Sequence, residues 1–284
     1  MIRLAALLCA SLAFATCASA QDFAGPEPAG PPAGPAGLLE RGLAPVPGSA
    51  SLEFAHISLT GTPELITRSL AVGGNFRGVA GAAGLSQTGD VALGWEALAL
   101  ACGAAGSDGA VAVRALVRRD RSAESRLARP DRGLGGELGG GAWLRCGRAL
   151  RLWASAPQLW RHGAAPPLAR ALELGARFER PHVAAWLARE AAPAGWRIAG
   201  DHVGGVAIDA GPALLWLEAR DRPLRGGLGA AARIGILRVA AVVESHPVLG
   251  ETARLSLALG RGSGGSATAV SPAAVDPPPG TVAP

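Results

Sequence analysis

The 284-residue chain contains no lysine and no tyrosine, a single methionine and five phenylalanines. Each absence excludes something. Without lysine, all 27 basic residues are arginine, and with Ala, Gly and Pro also abundant this reads as GC-rich coding bias rather than a designed basic surface. Without tyrosine, the aromatic girdles that flank the apolar band of a transmembrane β-barrel have lost a usual component. Beyond the first twenty residues no apolar run reaches the roughly 20 residues of a transmembrane helix, because Arg, Glu, Asp or Gly interrupts each one. Catalytic signatures are missing too. His56, His162, His182, His202 and His246 are scattered, with no H-E-x-x-H, Cys-x-x-Cys or G-x-S-x-G, so no catalytic residue, metal ligand or cofactor-binding residue is assigned and the chain reads as non-enzymatic.

Residues 1–20 carry Arg3, an apolar run, and Ala18-Ser19-Ala20 before Gln21, which is the pattern of a secretory signal peptide. Cys17 raises a rival lipoprotein reading that Thr16 and Phe14 suit poorly. Export makes nucleic acid an improbable partner despite a net charge of +5. Residues 21–49 and 261–284 are rich in Pro, Gly and Ala without apolar period, and read as a flexible leader and a disordered tail. The folded unit is expected at 50–260.

The apolar content is 49% for the whole chain and the mean hydropathy is +0.26, high for an exported soluble domain. Within the folded unit the recurrent period is two. Leu255, Leu257 and Leu259 alternate with Arg254, Ser256 and Ala258; Leu237, Val239, Ala241 and Val243 with Arg238, Ala240, Val242 and Glu244; Leu228 and Ala230 with Gly227 and Gly229. Glycines opposite leucines suit a crowded barrel interior or a close backbone approach. Breakers fall between the runs: Gly106-Ser107-Asp108-Gly109, Arg180-Pro181, Asp221-Arg222-Pro223 and His246-Pro247. The fold class is therefore all-β, an antiparallel transmembrane barrel. At about 17 or 18 residues per strand and connection the count is about 12, an even number.

Some segments admit two readings. Pro166–Pro181 is rich in helix formers, with Arg170, Glu173 and Arg177 at helical spacing, yet Leu172, Leu174, Ala176 and Phe178 alternate with Glu173, Gly175, Arg177 and Glu179, and Gly175 favours a strand. Gly227-Leu228-Gly229-Ala230-Ala231-Ala232 fits G-x-G-x-x-A, but a strand pattern follows where a dinucleotide site needs a helix. Arg118–Gly133 is the densest charge cluster; it reads as a solvated loop, the rival being a surface for anionic lipid or a partner protein. Glu173, Asp209 and Glu218 read as polar residues facing a wet lumen or a loop, the rival being a carboxylate pair brought together in space. Trp95, Trp143, Trp153, Trp160, Trp186, Trp196 and Trp216 are candidates for interfacial anchors or for ordinary packing. Cys102 and Cys146, placed at one barrel end, are candidates for a disulfide that would need movement in the turns, since next-nearest strands lie about 10 Å apart.

Taken together, PELITRSLAVGG, the hairpins after Pro166 and the closing VVESHPVLGETARLSL resemble the PorV/PorQ-like outer-membrane proteins, themselves similar to FadL-type hydrophobic-compound transporters. The resemblance implies an outer-membrane barrel that in some members assists secretion or transport. Members commonly begin with an Asn-Pro-Ala segment that helps plug the lumen; here a Pro/Gly/Ala leader stands in its place. The expected role is a passage for small or hydrophobic molecules, or a scaffold for envelope proteins, with outer-membrane lipid as partner and no cofactor. The alternative is a soluble periplasmic β-protein that binds a lipid or a protein. For the barrel, Leu255, Leu257 and Leu259 face lipid and Arg254 and Ser256 face inward, so with a wet lumen an arginine should be tolerated better at Ser256 than at Leu257.

Overall fold

The computed structural model describes residues 23, 34–45, 50–59, 66–89, 94–120, 133–163, 172–191, 201–221, 224–246 and 250–261. Fourteen antiparallel strands form one closed barrel in which each strand pairs with its sequence neighbours and β1 closes against β14. They are β1 (Ala50–Leu59), β2 (Thr67–Phe76), β3 (Val79–Gly89), β4 (Gly94–Ala105), β5 (Gly109–Asp120), β6 (Leu134–Cys146), β7 (Leu150–Gly163), β8 (Leu172–Arg180), β9 (Val183–Ala191), β10 (Asp201–Asp209), β11 (Ala213–Asp221), β12 (Leu224–Ile234), β13 (Leu237–His246) and β14 (Gly250–Arg261). Closure leaves no unpaired edge, so every strand can satisfy its backbone polar groups within the sheet.

The antiparallel barrel and its even strand number match the alternation, but the count is 14 rather than about 12. The reason lies in the turns. At one end the connections are only 77–78, 106–108, 147–149, 181–182, 210–212 and 235–236, so strand plus connection averages about 15 residues, shorter than assumed. His182 and Arg77 adopt positive φ in two of these turns, the geometry that tight hairpins demand. At the opposite end the connections run up to 121–133. Segment 166–181 resolves as strand from Leu172, and Gly227–Ala232 lies inside β12, with no helix beginning at its glycines.

Side chains sort by parity. Leu52, Phe54, Leu70, Val72, Leu98, Leu100, Val113, Leu187, Leu217, Leu255, Leu257 and Leu259 face outward and are exposed. Alanine, glycine, tryptophan, arginine and glutamate face inward. One row of each strand thus meets the surroundings as an apolar belt while the alternate row lines a polar interior, which is the inverse of a soluble barrel.

The residues preceding β1 depart from the expectation for a leader. Pro35–Arg41 forms a short helix, α1, with Leu38 and Leu39 fully buried, packed inside the barrel against β1 to β7. Phe23, Leu43 and Ala44 are buried as well. Composition alone cannot reveal this, because the helix is a single amphipathic turn or two whose burial is supplied by the barrel wall. The signal-peptide segment, the tail beyond Arg261, Trp196, most of the Arg118–Gly133 run and residues 247–249 of the last turn lie outside the described residues.

Candidate functional site in the barrel lumen

The wall of the lumen holds α1 at both ends. At its start, Glu53 of β1 accepts a hydrogen bond from the Ala36 amide at 3.1 Å, a carboxylate serving the open donors of the first turn. At its end, Gly42 takes the left-handed conformation (φ 69°) and its amide donates to Leu38 O, a glycine C-cap. Arg114 Nη1 donates to Glu40 O at 3.0 Å, and Ser155 Oγ to Arg41 O at 2.6 Å. Arg41 itself forms an ion pair with Glu173 at 3.5 Å. Beyond the helix, Trp143 Nε1 donates to Ala44 O and Asn75 Nδ2 to Pro45 O.

Glycines in the wall make room for this segment. A Cβ at Gly84 would strike Leu39 and Phe23, and one at Gly141 would lie 2.8 Å from Arg41 O. Between α1 and β1, β2, β13 and β14 a gap of about 10 Å³ remains, lined by Ala36, Glu53, Ser69, Arg238 and Ser256, room for at most a single water.

Charged side chains occupy the rest of the interior. Glu137 of β6 lies between Arg114 (3.4 Å) and Arg118 (3.7 Å) of β5, so Arg118 belongs to the lumen and not to the polar loop assigned from its neighbours. Glu179 sits between Arg151 and Arg177 at 3.2 and 3.1 Å. On the wall away from α1, Arg220 is met by Glu190 at 2.9 Å, Glu218 at 3.4 Å and Glu244 at 4.0 Å, and Glu244 also pairs with Arg254 and Arg225. Placing the charges inward keeps them off the apolar outer face, and pairing them offsets their partial desolvation. Glu173, Asp209 and Glu218 all point into the lumen; Asp209 is held by the Gly211 amide and Glu173 by Trp153 Nε1 at 2.7 Å.

The tryptophans belong here too. Trp143, Trp153, Trp186 and Trp216 are buried in the lumen, and of the described tryptophans only Trp160 is an exposed outward residue. Three of them repeat one device: Trp153 lies across from Gly175, Trp186 from Gly205 and Trp216 from Gly229, each indole covering the glycine so closely that a Cβ there would fall within the ring. This pairing is the aromatic cover of a strand glycine. Gly229→Val is therefore expected to destabilise the barrel by about 1 to 3 kcal/mol through overpacking. Gly226→Val on the same strand, where a Cβ meets no atom within 4 Å, should be neutral; chemical unfolding of the two variants in bilayers compares them.

Cys102 and Cys146 are free thiols, with Cys102 exposed. Cys102 does not sit at the strand end. It pairs with Val113, and Val113 with Gly140, six residues short of Cys146 and hence about 20 Å along the strand. The bridge considered from sequence does not form. Among the described residues no group of three His, Cys, Asp or Glu side chains is disposed to hold a metal.

No family model and no curated protein matches the chain. Among solved structures it is similar to mutants of the Rhodopseudomonas blastica porin: a triple mutant at 12% identity and TM-score 0.41, and a second mutant at 10% identity and TM-score 0.42, each comparison covering 75% of this chain and 99% of the porin.

Proposed function

We propose that the chain is a non-enzymatic outer-membrane barrel of the channel type, closed by its own segment 34–45. The single observation that carries this reading is the placement of α1, buried and tied at both ends inside a closed barrel whose outer face is apolar. The charged β9–β14 wall favours small polar or ionic solutes over hydrophobic compounds as cargo, because an apolar molecule moving along it would desolvate Arg220, Arg254 and their carboxylates. The resemblance to PorV/PorQ-like proteins fits the same proposal: segment 34–45 would take the plugging role of their N-terminal segment. An exposed apolar belt around the whole barrel speaks against the soluble periplasmic alternative. The orientation follows general barrel behaviour, with the short-turn end and both strand termini in the periplasm and the longer connections outside.

Planar-bilayer recording tests the proposal. The full chain is expected to insert and conduct little, whereas a chain lacking residues 22–45 should insert and conduct markedly more. Equal conductance would remove the plugging role. Failure of the full chain to insert, with recovery in the soluble periplasmic fraction, would overturn the barrel assignment.

A further inference from the structure

Among the described residues, four arginines that the interior does not use lie at the short-turn rim. Arg77, Arg148, Arg180 and Arg233 are all exposed and lie in or beside the short turns between β2 and β3, β6 and β7, β8 and β9, and β12 and β13. None of the four has an ion-pair partner among the described residues, and the exposed carboxylate at this rim among those residues is Asp108, which accepts from Ser107 Oγ. At the opposite rim the outward cations sit among acids and other polar groups: Arg68, Gln87, Glu96 and Arg119 form one cross-strand row, and Arg189 lies beside His202, which pairs with Asp221 at 2.7 Å. Coding bias explains why the cations are arginines. Arg68, Arg119 and Arg189 have no ion-pair partner among the described residues either, so the short-turn rim is distinguished by its exposed arginines having a single exposed carboxylate, Asp108, among the described residues beside them.

Two of the four have a second feature. Arg77 lies over the ring of Phe76 with 5.1 Å to its centroid, and Arg180 over Phe178 at 5.3 Å; both phenylalanines are outward and exposed. Each pair therefore sets an aromatic ring at the border of the apolar belt and a guanidinium just beyond it. A ring at the acyl boundary and a cation at headgroup depth are what a membrane surface satisfies. Guanidinium bonds phosphate oxygens bidentately, and a headgroup of net negative charge adds an attraction that a zwitterionic headgroup, its phosphate neutralised by its own ammonium, does not.

We infer that the short-turn rim is a binding surface for anionic phospholipid headgroups of the adjoining leaflet, made by Arg77, Arg148, Arg180 and Arg233, with Phe76 and Phe178 anchoring the depth. This rests on the membrane-barrel reading. Occupancy would fix the height of the barrel in the bilayer, since the rim binds only when the belt and the headgroups are in register.

The test uses the full chain folded into bilayers of phosphatidylcholine containing phosphatidylglycerol, with spin-labelled versions of each lipid reporting which one is held at the protein surface. The wild type is expected to prefer the anionic lipid, by about fivefold for each arginine engaged at low salt, and to lose that preference as salt is raised. The variant combining Arg77→Gln, Arg148→Gln, Arg180→Gln and Arg233→Gln should fold, shown by a heat-dependent gel shift, and bind both lipids alike. Arg68→Gln with Arg119→Gln and Arg189→Gln should keep the preference. Should the fourfold variant not fold, Arg77→Gln with Arg180→Gln alone is expected to lower the preference while the salt dependence of the wild type stands as the independent measure. A preference retained without the four arginines, or abolished only by changes at the opposite rim, would overturn the inference. So would displacement of the lipid by inorganic phosphate at constant ionic strength, since that would make the site one for the free anion. A wild type that inserts but shows no lipid preference refutes only this inference; a wild type that does not insert refutes the barrel reading beneath it.

Discussion

Arg220→Met is expected to lower the stability of the folded barrel by about 3 to 5 kcal/mol, the cost of breaking a buried ion pair, with lumen water moving the value toward the lower end. Arg220 is the cation shared by Glu190, Glu218 and Glu244. Removing it leaves three carboxylates from β9, β11 and β13 facing one another, with Arg225 and Arg254 still bonded to Glu244 alone. The companion change Glu190→Gln removes one negative charge from the same cluster and should recover part of the loss when combined with Arg220→Met, because the two residues share one contact and their effects are not additive. Urea unfolding in bilayers of the single and double variants reads the coupling directly. An Arg220→Met barrel as stable as the wild type would mean that the lumen is wet enough there to screen its charges, and the charged wall would lose its structural part.

Leu257→Arg should cost about 2 to 4 kcal/mol near the bilayer midplane and impair assembly, since the side chain must leave water for hydrocarbon. Leu257 is outward, between Phe54 on β1 and Val239 on β13, at the seam where the barrel closes. The informative control is an arginine facing inward. Ser256, expected from the alternation to tolerate one, does not have the space: it lines the gap of about 10 Å³ beside Ala36 and Arg238. Gly227 does, because a Cβ there meets its nearest atom at 3.8 Å and its cross-strand neighbours are Glu218 and Glu244. Gly227→Arg is expected to fold with near wild-type yield in the outer-membrane fraction while Leu257→Arg is depleted. Equal depletion would remove the assignment of faces.

The faces themselves are legible in the order of residues along each strand. Val111, Val113 and Val117 against Ala112, Arg114 and Arg118, or Leu237, Val239 and Val243 against Arg238 and Glu244, divide as the alternation divides them, since the side-chain period of a strand is two and a slip of one residue would put arginine on the apolar outer face. The breakers at Gly106–Gly109 and Arg180-Pro181 fall in turns for the same local reason. Where sequence and structure part, the deciding contacts are distant along the chain. The strand number depends on how tightly six turns close. The fate of Cys102 depends on the stagger of β4 against β6. Of the tryptophans that could have been interfacial anchors, Trp153, Trp186 and Trp216 turn inward over a glycine that faces each of them from a later strand, a pairing visible only once the register is known.

Segment 34–45 marks the division most clearly. Alternation along each strand, the absence of any spanning helix and the breakers between strands are consequences of neighbouring residues, and they determined an antiparallel barrel with one apolar and one polar face. The capture of α1 was decided by tertiary structure alone. Glu53, Arg114, Trp143 and Ser155 come from four strands to hold its backbone and the residues just beyond it, and Gly84 and Gly141 leave the space it fills. A seven-residue helix is too short to be stable by itself, so nothing within it could announce that it folds; it forms because a closed, polar-lined wall satisfies both its ends and excludes water from its leucines.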